Sequence, residues 1–190
     1  MTIREKQRTE ATLKIADYLL AEGLARTGVR QLAAAAGISD RMLLYYFKSK
    51  DEVMLAALGS LAGRLTATLN DAIPQDAALM PGALFDIASE LLDREDVRGF
   101  MTLWLEATAA SVRNVSPYPM IAKAITDGFL GWMETRLKTR PGSSPSEDAA
   151  MLMGMLDGLE IVRICAGEDA YRNARNAMSV SLSQAVGDDS

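Results

Sequence analysis

The sequence contains no histidine. That removes the commonest general base and the commonest metal-ligating side chain. It has one cysteine, Cys165, so no disulfide can form within the chain, and a reducing compartment fits. Aromatic residues make up only 6 % of the chain. Val, Ile and Thr nowhere alternate with polar residues over a strand's length, which argues against a sheet. Each apolar stretch is interrupted by charge or glycine before it reaches the length of a bilayer span. The opening Thr2-Ile3-Arg4-Glu5-Lys6 leads into a charged helix rather than a signal peptide, so a cytoplasmic location is expected. Glycine-rich phosphate loops and nucleophile elbows are missing. No residue set argues for catalysis, a metal or a cofactor, and the expectation is a non-enzyme.

Much is present that favours helix. Ala, Leu and Met are abundant, and 190 residues suffice for one large or two small domains with a core. The expected fold is all-α, with about nine to ten helices. Apolar spacing, caps and breakers place helices near 3–22, 50–72, 82–93, 97–114, 119–139, 145–166 and 168–185, with two short helices within 29–51. Thr2 with Glu5, Ser49 with Glu52 and Ser144 with Glu147 have capping-box spacing, and Pro145 suits a first helical position. Lys138 and Arg140 suit the C-terminus of the seventh helix. Gly59 and Gly63 would allow close packing along the fourth helix. Asp93-Arg94-Glu95-Asp96 reads as a solvated turn or short helix. In the helix after it, Met101, Trp104, Thr108 and Ser111 share a face, with Glu106 and Arg113 on a wetter one. The tail Gly187-Asp188-Asp189-Ser190 reads as frayed.

Charge is divided unevenly. The chain's net charge is −5, yet residues 1–50 carry nine Lys or Arg against five acids, a net of +4, and the remainder carries −9. A basic head on an acidic body suits a molecule that offers one end to a phosphate backbone.

That head contains the most informative stretch, residues 29–51. An Ala-rich helix ends at Gly37, Ile38 can tuck into the corner, and Ser39 can cap a second helix whose buried stripe is Leu43 and Phe47. Two short helices joined by a tight glycine-containing turn make a helix-turn-helix, whose second helix enters the major groove. The residues Val29-Arg30, Leu32-Ala33, Ala36-Gly37-Ile38-Ser39, Leu43, Tyr46-Phe47 and Lys48-Ser49-Lys50-Asp51-Glu52 resemble the DNA-binding domain of the TetR family of bacterial transcriptional regulators. Gly28, Arg41 and Leu44 depart from the family's usual residues, which are a capping Ser or Thr, a glycine and a tyrosine.

The resemblance implies a DNA-binding domain over 1–57 and a helical ligand-binding and dimerisation domain over 58–190. It implies a ligand-responsive repressor that binds a palindromic operator as a homodimer. Asp40, Arg41, Met42 and Tyr45 would lie near base edges, with Arg41 suited to guanine and Met42 to a thymine methyl, and Ser39 would belong to the same DNA-binding set. Thr27, Arg30, Tyr46, Lys48 and Lys50 would meet phosphates. A small-molecule effector would touch Met101, Trp104, Met155 and Asp157. The dimer would use Met151, Gly154, Gly158 and Val162, flanked by Met155 and Leu159, against Phe129, Trp132 and Met133 of a facing helix. Two other classes stay open at this level: an all-helical adaptor that binds protein, and a cofactor-independent enzyme.

Overall fold

A computed structural model describes residues 2–138 and 142–184. Among them are nine helices: α1 (Ile3–Glu22), α2 (Val29–Ala36), α3 (Asp40–Tyr46), α4 (Lys50–Ala72), α5 (Pro81–Leu91), α6 (Glu95–Val112), α7 (Tyr118–Glu134), α8 (Pro145–Ala166) and α9 (Glu168–Gln184). The only extended pairing among the described residues is an isolated bridge between Leu79 and Leu137. The all-α expectation holds.

The capping chemistry behaves as its spacing requires. Thr2 Oγ1 accepts from Glu5 N while Glu5 returns the bond to Thr2 N, which closes a capping box on α1. Ser144 and Glu147 do the same for α8, with Pro145 in its first turn. At α4 the box is shifted: Ser49 Oγ accepts from Glu52 N, but the Glu52 carboxylate reaches Lys48 N. Each box satisfies orphan N–H groups of a first turn. α6 begins at Glu95 rather than 97, and Arg94 just before it is bidentate to Asp96.

The chain divides into two compact units, Met1–Thr66 with Arg98–Thr126, and Ala67–Val97 with Asp127–Ser190. α4, α6 and α7 each run from one unit into the other. The expected domain boundary at 57/58 falls inside α4, which continues unbroken.

In the first unit, Ala11, Ile15, Ala16 and Leu19 of α1 are buried with Leu32, Ala33 and Ala36 of α2, Leu43 of α3 and Val53, Met54, Ala57 and Leu58 of α4. Each of the larger side chains, Val, Leu, Ile and Met, contributes roughly 1.5–3 kcal/mol on full burial, so this cluster fixes the three-helix head. α6 is tied to it through Glu106. Its carboxylate accepts from Leu24 N at 2.6 Å and lies 2.8 Å from where a Cβ on Gly23 would stand. Glu106 is thus bonded to the loop after α1 rather than simply wet, and Thr108 is exposed. Further along, Ser116 Oγ donates to Asp51 at 2.7 Å. Gly59 and Gly63 face open space instead of a close neighbour.

In the second unit, α5 packs against α8 and α9, and α8 against α9. Here α7 ends earlier than its periodicity suggests. After Glu134 the backbone turns, and Leu79 N–H donates to Arg136 O while Lys138 N–H donates to Leu79 O, both at 2.8 Å. Lys138 therefore lies beyond the helix, and Arg140 is outside the described residues, as is the 187–190 tail. The cation at the helix end is Arg136. Its buried guanidinium donates to Trp132 O at 3.0 Å, Ile73 O at 3.2 Å and Asn70 Oδ1 at 2.7 Å, and stacks on the Trp132 ring. One side chain so satisfies carbonyls at the ends of two helices.

Candidate nucleic-acid interface

The reading surface starts with backbone geometry at Gly37. Its φ of +72° and ψ of 29° are left-handed, where a Cβ would be strained. Ile38 N–H donates to Ala33 O and Gly37 N–H to Ala34 O, both at 3.0 Å, the paired bonds of a Schellman closure. The chain reverses at once, and Ser39 Oγ accepts from Met42 N at 3.2 Å to start α3. Gly28 opens α2 without a side-chain cap bond, and the Gln31 side chain folds over it where a Cβ would otherwise sit.

α3 is only seven residues long, and its two faces differ sharply. Leu43 and Phe47 are fully buried. Asp40, Arg41, Met42, Leu44 and Tyr45 are exposed, as are Ser39, Arg30 and Lys48, with Lys50 half-buried. A guanidinium, a thioether and a phenol thus project from one short helix, which suits guanine acceptors and thymine methyls in a major groove.

Two residues expected at phosphates are placed differently. Thr27 is 6 % exposed, and its hydroxyl donates to Leu24 O at 3.1 Å. The Tyr118 phenol faces that hydroxyl and is pushed up by burial, against the effect of the Thr27 bond. Tyr46 is 5 % exposed, and its hydroxyl donates to Gln7 Oε1 at 2.8 Å. Both hydroxyls are committed to the protein's own groups, and neither residue belongs to the exposed surface.

Sequence reasoning passed over α1. Arg4 donates to Tyr45 O at 3.0 Å and its guanidinium lies 4.7 Å from the Tyr45 ring centre. Gln7 holds Tyr46. Arg8 lies 5.0 Å from the Phe47 ring centre and pairs with Glu52 at 2.7 Å. The available signal was the spacing of Arg4, Gln7 and Arg8, which share a helix face.

The remaining expected residues separate by unit. Met101 and Trp104 are buried in the first, while Met155 and Asp157 are half-buried in the second. On α8, Met151 and Gly154 are exposed, Gly158 and Val162 are half-buried, and no atom lies within 4 Å of a Cβ built on either glycine. Ile161 and Ile164 of α8 are exposed as well, as is Val180 of α9. Leu159 turns inward and is fully buried. Phe129, Trp132 and Met133 are buried within the chain; Trp132 Nε1 donates to Asn70 Oδ1 at 2.8 Å. Within its own unit α8 packs against α5 and α9. Cys165 is exposed. Among the described residues no cluster of three or more His, Cys, Asp or Glu is placed to hold a metal, and no helix is long and apolar enough to cross a membrane.

Comparison with known proteins agrees with this geometry. Residues 15–57 match the family model described as bacterial regulatory proteins, tetR family. The chain is similar to the HTH-type transcriptional regulator PksA of Bacillus subtilis (strain 168), with 22 % identity over 161 residues, covering 83 % of this chain and 77 % of that protein. In fold it is similar to a TetR-family transcriptional regulator from Cytophaga hutchinsonii, at TM-score 0.77 and 15 % identity over 97 % of this chain and 96 % of that one. It is also similar in fold to the multidrug binding protein EbrR complexed with proflavin, at TM-score 0.64 and 23 % identity over 94 % and 99 % of the two chains. Residues 15–57 thus form a helix-turn-helix of the kind found in bacterial regulatory proteins of the tetR family, on a chain whose fold is similar to that of solved TetR-family regulators.

Proposed function

We propose that this protein is a cytoplasmic, ligand-responsive repressor that binds a palindromic operator as a homodimer. The observation that carries the reading is the outward face of α3. Arg41, Met42 and Tyr45 are exposed on a helix whose start is set by the Gly37 turn and the Ser39 cap. Arg41 is assigned to a guanine, and Met42 and Tyr45 to neighbouring base edges. Ser39 and Asp40 sit beside them at the helix start. Arg30, Lys48 and Lys50 supply charge for phosphates.

A single head reads few base pairs. Two heads related by a twofold axis read half-sites about one helical turn apart, roughly 34–36 Å. Support for pairing comes from the stripe of Met151, Gly154, Gly158 and Ile161, which recur at helical spacing along α8. The two glycines let a second backbone approach, and the aliphatic groups gain by leaving water.

The effector is a small molecule received by the helical body, with Met101 and Trp104 or Met155 and Asp157 as its contacts. EbrR, similar in fold, is a multidrug binding protein seen with proflavin. α4 runs from the head into the second unit and is the element through which binding would be felt. DNA affinity changes only as far as the effector discriminates between the two shapes.

Selection of bound sites from random duplexes tests the reading. The expected product is a twofold-symmetric site. With that site in hand, Lys50→Ala should weaken binding to all sequences alike and reduce the salt slope, whereas Arg41→Ala should blur preference at one base pair. Identical behaviour of the two variants across operator variants refutes this sorting of contacts. Absence of any selected duplex refutes the function and favours a protein-binding adaptor.

A further inference from the structure

The reading helix is short, and its end is held by residues that are remote in sequence. Three consecutive aromatic residues, Tyr45, Tyr46 and Phe47, close α3 and begin the exit from it. Each is held by a different residue of one α1 face. Arg4 covers the Tyr45 ring and donates to its carbonyl; Gln7 accepts the Tyr46 hydroxyl; Arg8 covers Phe47. The Tyr45 and Tyr46 rings are themselves 5.6 Å apart and tilted by 59°. Arg8 continues to Glu52, whose second oxygen accepts from Lys48 N. The row therefore runs from the first turn of α1 across the end of α3 to the start of α4.

Of the three, only Tyr45 is open to solvent, at 57 % exposure. A phenol on the last turn of a seven-residue helix has little local support, because the carbonyls there have no helical partner. Arg4 supplies that support twice. Its bond to Tyr45 O satisfies one of those carbonyls, and its planar guanidinium rests on the ring.

We propose that Arg4 is a positioning residue for DNA reading: through Tyr45 it fixes which base step the end of α3 prefers. This rests on the DNA-reading function proposed above. The alternative role for an exposed arginine in a basic head is a plain phosphate contact, and the two roles make different predictions. A phosphate contact weakens every sequence by one factor and lowers the salt slope by about one. A positioning role changes the preference at the base pair facing Tyr45 and acts only while Tyr45 is present.

The test is a double-mutant cycle on the selected operator and its single-base variants, using full-length wild type, Arg4→Ala, Tyr45→Ala and the double variant. Wild-type binding comes first; if it selects no duplex, the DNA-reading function itself has failed, and that result is separate from this one. With wild-type binding secured, Arg4→Ala should reduce discrimination at one base-pair position by roughly two- to five-fold, what an exposed cation–π contact is worth. The salt slope should be unchanged, and Arg4→Ala should have no further effect on discrimination in the Tyr45→Ala background. A uniform loss with a shallower salt slope overturns the proposal, as does a loss of discrimination that multiplies independently with that of Tyr45→Ala.

Discussion

Replacing Ile161 by glutamate is the sharpest test of pairing. The side chain is 50 % exposed on the α8 face that carries Gly154 and Gly158. Covering the exposed half of an isoleucine contributes roughly 1 kcal/mol at ~25 cal/mol per Å² of apolar surface. A twofold interface presents each residue twice, so the loss per dimer is about 2 kcal/mol. That alone raises the dimer dissociation constant about 30-fold, and the cost of drying two carboxylates adds to it. The monomer should fold normally, because the substituted group already faces water. Sedimentation velocity over a dilution series, with far-UV circular dichroism as the folding control, measures both. Ile161→Glu should shift the monomer–dimer midpoint by at least that factor and, in parallel, remove binding to a two-half-site operator. Unchanged sedimentation, or a wild-type chain that is monomeric throughout, refutes the assignment of this face to a second copy.

Three other substitutions probe the supports of the site. Arg136→Met removes the donors to Ile73 O, Trp132 O and Asn70 while keeping an apolar stem, and should cost about 3 kcal/mol in denaturant unfolding; a change below about 1 kcal/mol contradicts the capping role. Glu106→Ala leaves Leu24 N–H without its acceptor and should cost about 1–2 kcal/mol with faster hydrogen exchange at Leu24; unchanged exchange contradicts it. The Glu147 carboxylate is held below its ordinary range by the Ser144 side-chain hydroxyl and backbone N–H. A group depressed in the folded state contributes stability that is complete above its unfolded pKa and is lost as pH falls through the lower folded value. A carboxyl-resolved NMR titration should therefore find Glu147 below an ordinary glutamate, and Ser144→Ala should return it upward; an unmoved midpoint contradicts the capping box.

Local chemistry made most of the fold legible. Caps at Thr2 and Ser144, the glycine turn at 37 and the 3.6-residue stripes of α1, α3 and α4 are all written within a few residues of where they act. What escaped was decided by distant partners. Nothing near Glu134 says that Leu137 will pair with Leu79, so α7 reads as longer than it is. Thr27 and Tyr46 look available for phosphates until Leu24 O and Gln7 take their hydroxyls. Trp132 has the profile of an interface residue, yet Asn70 and Arg136 engage it within its own chain. Conversely, Arg4 looks like one charge among many until the fold lays it on Tyr45.

In the proposed complex, two copies of a basic α2–α3 head lie in grooves of one duplex. The most direct measurement is affinity for the selected site as a function of salt, made with one half-site and with two. A linear fall of log K with log salt is expected, with the two-half-site slope about twice that of the single half-site. Equal slopes and affinities for the two duplexes, or binding that ignores salt, would contradict it.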